Sequence, residues 1–266
     1  MHHDTFSRLL THEGLYRGPV NTTQLEGGVW NDVVKVETGN DRYVFKTYRE
    51  VPEHSFFPNV AAHEAEALRR LSGLDISPEF VGFWPNQNLL VYKYVEGSTW
   101  NGDTASVARL LVRKETVDPA GFPLGKFTPH ELLAEGDKMF AKCQHAKIPM
   151  RPAPIDIEPP ERLSLVHRDV GPNNLVGEGE KLRLIDWQCP TMGDLTEDIF
   201  SFLSPAFQIM GEREPLTDEE QSQFFQALDL PQYKRRFELL APYFSWCIAA
   251  YCSFRAEVHT DSTVRQ

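Results

Sequence analysis

Apolar and polar positions alternate along the first third of the chain, whereas further on they recur every three to four residues. WNDVVKVET (30–38) and RYVFKTY (42–48) follow the two-residue period of strands on either side of Gly39-Asn40-Asp41, which predicts a hairpin. VAAHEAEALRRLS (60–72) has a helical period. EFVGFW (79–84) and NLLVYKYVEG (88–97), split by Pro85-Asn86-Gln87, predict a second hairpin. Beyond Gly97 the character is helical. Thr128-Pro129-His130-Glu131 and Thr217-Asp218-Glu219-Glu220 each spell a capping box, the first with proline at the opening helical position. Asp194, three residues before Glu197, suits a helix N-cap. Between these lie the proline-rich loop IPMRPAPIDIEPP (148–160), the stretch LVHRDVGPNNLV (165–176) with strand-like apolar ends, and the short strand KLRLID (181–186). The longest apolar segment, LLAPYFSWCIAAYC (239–252), is expected to break at Pro242. A small β-rich region over residues 1–95 therefore precedes a larger, mainly helical one over 96–266.

Composition narrows the function classes. A chain of 266 residues with 41% hydrophobic and 24% charged positions is long enough for one or two globular domains and is not disordered. Its formal net charge of −11 opposes binding to phosphate backbones, and no Lys/Arg cluster makes a local basic stripe, so nucleic acid is not an expected partner. The same charge weakly favours a cationic small molecule. Four dispersed cysteines, with no CxxC pair and no histidines at ligand spacing, read as reduced thiols. MHHDTFSRLLTHEG has neither the basic nor the apolar region of a leader, and no run is long enough to cross a bilayer. A cytoplasmic location without membrane association is the expectation. Gly121 to Lys126 has P-loop elements, but its spacing is short by one and no Ser/Thr follows the lysine.

The stretch 165–176 sets His167, Arg168, Asp169, Asn173 and Asn174 around a Gly-Pro break. Alone, Asp169 is a turn residue. With Asn174 five residues on and Asp186 at the end of the following strand, the set changes meaning. HRDVGPNN, LIDW (184–187) and GDLTED (193–198) together resemble the aminoglycoside phosphotransferase and choline kinase group of the protein-kinase-like superfamily, over a span from Leu25 to about Leu203. The resemblance implies an α+β, bilobal protein-kinase-like fold with a small β-rich N-terminal lobe, a larger mainly helical C-terminal lobe and a nucleotide between them. It implies transfer of the γ-phosphoryl group of ATP, with Mg2+, to a hydroxyl of a small acceptor.

The physics of that reaction explains the residue types. Phosphoryl transfer asks a protein for positioning and charge neutralisation rather than covalent work. Magnesium prefers hard oxygen ligands, which the resemblance assigns to Asn174 and Asp186. Asp169 would orient the acceptor hydroxyl and take its proton. Alternation puts Val44, Lys46 and Tyr48 on one strand face, and Lys46 fits the lysine that meets the nucleotide phosphates. Its helix partner would be Glu64, on the azimuth of Leu68 and Leu71, rather than Glu66 on the other side. Gly27, Gly28 and Asn31 occupy the position of a phosphate-covering hairpin, where absent Cβ atoms let backbone N–H groups approach oxygens. Tyr92, Lys93 and Tyr94 look like the segment whose backbone meets the adenine edge. Asp198 would brace the catalytic loop, or sit as a solvated acid in the first turn of its helix. The helical insert 98–162 and the helices after Leu203 would select the acceptor, with Glu135, Asp156 and Glu158 as acids able to neutralise an amine.

Arg168 departs from the group, which usually carries glycine there, and matches eukaryotic-type protein kinases instead. Trp187 replaces the phenylalanine those kinases carry after the metal aspartate, and CPTMGD (189–194) leaves little room for a peptide-docking activation segment. A small-molecule kinase is the preferred reading. Its rivals are a protein kinase and a catalytically silent nucleotide-binding module that acts through a partner.

Overall fold

A computed structural model describes residues 3–25, 31–49 and 57–264. In chain order its first elements are α1 (His3–His12), β1 (Asn21–Gln24), β2 (Asn31–Glu37), β3 (Arg42–Tyr48), α2 (Ala61–Leu71), β4 (Phe80–Trp84) and β5 (Leu89–Lys93). Then come α3 (Thr104–Lys114), α4 (Pro129–Phe140), β6 (Ser164–Val166), β7 (Leu175–Val176), β8 (Arg183–Leu184) and β9 (Thr191–Gly193). The chain finishes with α5 (Leu195–Leu203), α6 (Pro205–Met210), α7 (Asp218–Leu228) and α8 (Pro231–Val264). Residues 1–98 with 176–189 form one compact unit, and residues 99–175 with 190–266 form another.

In the first unit both patterned hairpins are present, from Asn31↔Tyr48 to Glu37↔Arg42 in one and from Trp84↔Leu89 to Phe80↔Tyr92 in the other. They join through β3 and β5 into an antiparallel sheet of order β1-β2-β3-β5-β4. Alternation along β3 divides its side chains between two covered faces. Tyr43 and Phe45 join Val36, Leu89 and Val91 under Phe6 and Leu10 of α1. Val44, Lys46 and Tyr48 take the other face, with Tyr92 opposite Val44 and Leu90 opposite Lys46. Buried Leu68 and Leu71 of α2 contribute about 1.5–3 kcal/mol each, and three buried alanines let that helix come close. Helix α1 and strand β1 lie outside the pattern read from sequence. The spacing of Phe6 and Leu10, one helical turn apart, is the signal that α1 carried.

Gly97 and Gly177 meet in the same unit. A Cβ on Gly97 (φ +138°) would stand 3.0 Å from the Cα of Gly177, and one on Gly177 (φ +95°) 2.6 Å from the carbonyl oxygen of Lys181. Only glycine allows this approach, which leaves the Gly177 N–H 2.8 Å from the Ser98 oxygen. Residues 176–189 are thereby tied to the end of the β5 segment.

In the second unit both capping boxes form, Thr128 with Glu131 and Thr217 with Glu220, and Asp194 caps α5 by accepting from the Thr196 N–H at 3.0 Å. Asp103 caps α3. The expected break at Pro242 does not occur: α8 runs unbroken through it. A proline inside a helix forfeits one backbone hydrogen bond. Here packing outweighs that loss, because Leu240, Tyr243, Phe244, Trp246, Cys247 and Ile248 are all buried, with Phe244 stacked on Phe200 of α5 and Trp246 4.6 Å from Phe140 of α4. The proline-rich loop is held to these helices by Arg151 on Asp137 at 2.8 Å and by the Tyr243 hydroxyl on the Ala153 carbonyl at 2.9 Å. Strands β6 and β9 pair antiparallel, with Leu165 opposite Met192, beneath the loop that begins at His167. All four cysteines are free, and among the described residues no helix is long and apolar enough to cross a membrane.

Candidate active site

The first unit gathers one set of charged groups. Lys46, 3% exposed, donates to Glu64, 1% exposed, at 2.7 Å, and its ammonium also contacts Asp186. Strand alternation delivers the lysine, the inward stripe of α2 delivers the glutamate, and the turn after β8 delivers the aspartate. Asp186 has φ +65°, and buried Trp187 secures that turn by donating to the Leu184 carbonyl at 2.8 Å. Burial pushes the Lys46 pKa down, but Asp186 and Glu64 more than reverse this and raise it, so the ammonium stays charged at neutral pH. Tyr48, on the same strand face, donates its hydroxyl to the same Glu64 oxygen. Glu66 points elsewhere and pairs with Arg69 and Arg70.

Around this set the other nucleotide-site candidates are arranged as follows. The buried Asn31 side chain donates to Asn59 at 3.0 Å and to Gln188 at 3.2 Å, which ties β2 to the residues just before α2 and just after Asp186. Gly27 and Gly28 lie outside the described residues. Tyr92 is buried on the Lys46 face. Lys93 turns to the opposite side, with its ammonium 2.7 Å from Asp41. The backbone N–H groups of Lys93 and Tyr94 are spent on the Glu79 and Arg42 carbonyls at 2.9 Å each.

The second unit organises the loop of Asp169 differently. Asp198, fully buried, accepts the N–H of His167 at 3.0 Å and of Arg168 at 2.7 Å. Val170 donates its N–H to Ser201 Oγ at 3.1 Å, and Asp169 donates its own to Nδ1 of the buried His167 at 3.2 Å. That last bond fixes the imidazole tautomer with Nδ1 as acceptor. Asn174 gives its amide N–H to the Asp169 carbonyl at 2.9 Å, so its amide nitrogen is committed and its side-chain oxygen is the atom left for a cation. Asn173 is exposed and reaches the Met210 carbonyl at 3.4 Å.

Arg168 occupies φ +75°, a region where glycine is at ease and a residue that carries a Cβ is strained. Its side chain is held, with Nε 2.8 Å from Glu197 Oε1, and both side chains are largely buried. Burial pushes the Glu197 pKa up while Arg168 pulls it back. Sequence reasoning missed Tyr48, Lys114, Glu197 and Ser201. Two of these carried a signal: Tyr48 shares the Lys46 face by alternation, and Lys114 continues the apolar stripe of Val107, Leu110 and Leu111, where an unpaired lysine would be out of place. Among the described residues no cluster of three His, Cys, Asp or Glu side chains forms a metal cage. Asn174 and Asp186 supply hard oxygen donors, the kind magnesium takes in ones and twos alongside substrate phosphates.

A family model described as the phosphotransferase enzyme family matches residues 21–240, and the chain belongs to that family. Choline kinase LicA from Streptococcus pneumoniae is 18% identical, with 97% of this chain and 91% of that chain covered and a TM-score of 0.64. A choline/ethanolamine kinase family protein from Mesorhizobium loti is 18% identical over 98% of this chain and 87% of that one, with a TM-score of 0.66. Spectinomycin phosphotransferase, solved with ADP and spectinomycin, is 11% identical over 97% of this chain and 99% of that one, with a TM-score of 0.57. At such identities the likeness speaks for the fold, which is the α+β protein-kinase-like one. No curated protein matches the sequence.

Proposed function

We propose that this phosphotransferase is a small-molecule kinase that moves the γ-phosphoryl group of ATP to a hydroxyl of an amino alcohol, an aminoglycoside or a related metabolite in the cytoplasm. The observation that carries the reading is the buried ammonium of Lys46, held by Glu64 and Asp186 together. A binder of neutral ligands gains nothing from burying a cation with one carboxylate and setting a second, partly exposed one beside it, whereas a site for triphosphate uses each of them. Lys46 meets the phosphate oxygens, and Glu64 holds it there. Asp169 accepts the hydroxyl proton as the acceptor oxygen bonds to the γ-phosphorus and the bond from that phosphorus to the bridging oxygen breaks, leaving ADP. Asn174 and Asp186 would hold Mg2+, which when bound would neutralise charge on the phosphates. Tyr92, Lys93 and Tyr94 border the adenine, with Asn31 near the phosphates. The acidic balance of the chain, −11, favours an acceptor that bears an amine.

The experiment is a coupled assay of ADP release with ATP and Mg2+ against choline, ethanolamine, spectinomycin and other aminoglycosides, with peptides as a separate arm. Acceptor-dependent ADP release with a small hydroxyl compound is the expected result. Labelling of peptides alone makes the protein a protein kinase. Thermal stabilisation by nucleotide with no release in either arm makes it a silent binding module.

A further inference from the structure

We propose that Lys114, at the last turn of α3, is a positioning residue for the phosphotransfer step, acting on Asp169 through the backbone of the catalytic loop. The positioning role rests on the kinase reading above; the anchoring does not. Lys114 is 0% exposed, as is Asp198, and the Lys114 ammonium lies 3.1 Å from Asp198 Oδ2 while also donating to the Leu165 carbonyl. The Asp198 carboxylate in turn accepts the N–H groups of His167 and Arg168, the two residues that lead into Asp169. One cation thus closes the circuit at both ends of a short segment. It grips the strand residue two positions before His167, and it neutralises the carboxylate that grips His167 and Arg168 themselves.

The two hydrogen-bonded N–H groups alone do not balance a full buried charge. An unpaired carboxylate in this environment takes up a proton, draws in water or moves out, and each response alters the acceptor that fixes the His167 and Arg168 amides. Arg168 sharpens the demand, since its φ of +75° persists only while its surroundings hold it. Its side chain is already committed to Glu197, so Asp198 must hold the backbone, and Lys114 must hold Asp198. Ser201 supports the same carboxylate's helix turn by donating to the Asp198 carbonyl at 3.0 Å while receiving Val170. Lys114 is the ionic partner of Asp198 in this scaffold.

The test compares Lys114→Met with the double variant Lys114→Met/Asp198→Asn, in which the uncompensated charge is gone but an amide oxygen still accepts from the loop. Hydrogen exchange of the 164–170 segment is read beside kcat and KM. Lys114→Met is expected to speed exchange of the His167 and Arg168 amides at least tenfold relative to amides of α7. It is also expected to lower kcat at least tenfold with KM for ATP within about twofold, since ground-state binding is untouched. The double variant recovers most of both losses. Wild-type kcat or unaltered exchange in Lys114→Met overturns the proposal, as does a loss that the double variant does not restore. If the single variant fails to fold, a double variant that also fails shows Lys114 to be a packing residue and overturns it too, whereas a folded double with protected amides supports it. Should the wild-type protein release no ADP with any acceptor, the kinase reading falls, and the exchange arm still judges the anchor.

Discussion

The surroundings of Lys46 and the loop of Asp169 solve the same problem, holding charge near a core, in opposite ways. Around Lys46 the charged side chains pair with one another: the ammonium touches two carboxylates and a tyrosine hydroxyl steadies one of them. Around Asp169 the supporting side chains grip backbone instead, with Asp198 on the His167 and Arg168 amides, Ser201 on Val170 and Asn174 on the Asp169 carbonyl. On the proposed reading, the first arrangement makes stability and chemistry share the same atoms. The second hands the holding of the loop to Asp198, Ser201 and Asn174, and on the proposed reading the Asp169 carboxylate is the group that does the chemistry.

Substitutions at the two places should therefore differ in kind. Asp169→Asn should lower kcat by about 10²–10⁴-fold, the range of a lost general base, with unfolding free energy and nucleotide-induced thermal shift near wild type. A large loss of stability in that variant would break the contrast. Lys46→Met should do the reverse in proportion. It strands buried Glu64 and should cost about 3–5 kcal/mol in urea unfolding, and Lys46→Met/Glu64→Leu should recover much of that without recovering turnover. A single variant as stable as wild type would mean that the pair is not desolvated.

Smaller changes refine the comparison. Tyr48→Phe removes a donor to buried Glu64 and should cost about 1.5–3 kcal/mol, because the bond is to a charged group. Ser201→Ala leaves the buried Val170 N–H unpaired and should cost about 1–3 kcal/mol, with kcat falling further than in Tyr48→Phe because the loop itself moves. Equal kcat in the two variants would remove the distinction. The least effect is expected at Asp137, which pairs with none of these groups. Its hydrogen bonds to Arg151 hold the carboxyl below the ordinary range, so the stability it adds is present above the unfolded pKa of about 3.9 and is lost as pH falls through the depressed folded value. Asp137→Asn should cost less than about 1 kcal/mol at neutral pH, since the pair is well exposed, and the gap should close on acidification.

Much of this was written in local order. Alternation in 42–48 put Lys46 and Tyr48 on one side of β3, the helical period of 60–72 turned Glu64 inward and Glu66 outward, and both capping boxes opened helices at the residues that spell them. Such features need only neighbours a few positions away, so periodicity and cap chemistry reveal them. The motif of 167–174 was visible only as a resemblance to a family, since no periodicity marks it.

Long-range packing decided the rest. Pro242 stays inside α8 because buried aromatic contacts with α4 and α5 outweigh one lost hydrogen bond. Residues 176–189 join the N-terminal unit, dozens of positions away in the chain, through Gly97 and Gly177, which let backbones touch. Arg168 holds a left-handed backbone because Glu197 and Asp198 lie within reach. Whether a buried charge is tolerated depends on which opposite charge arrives beside it, and that is settled only when distant segments of the chain pack together.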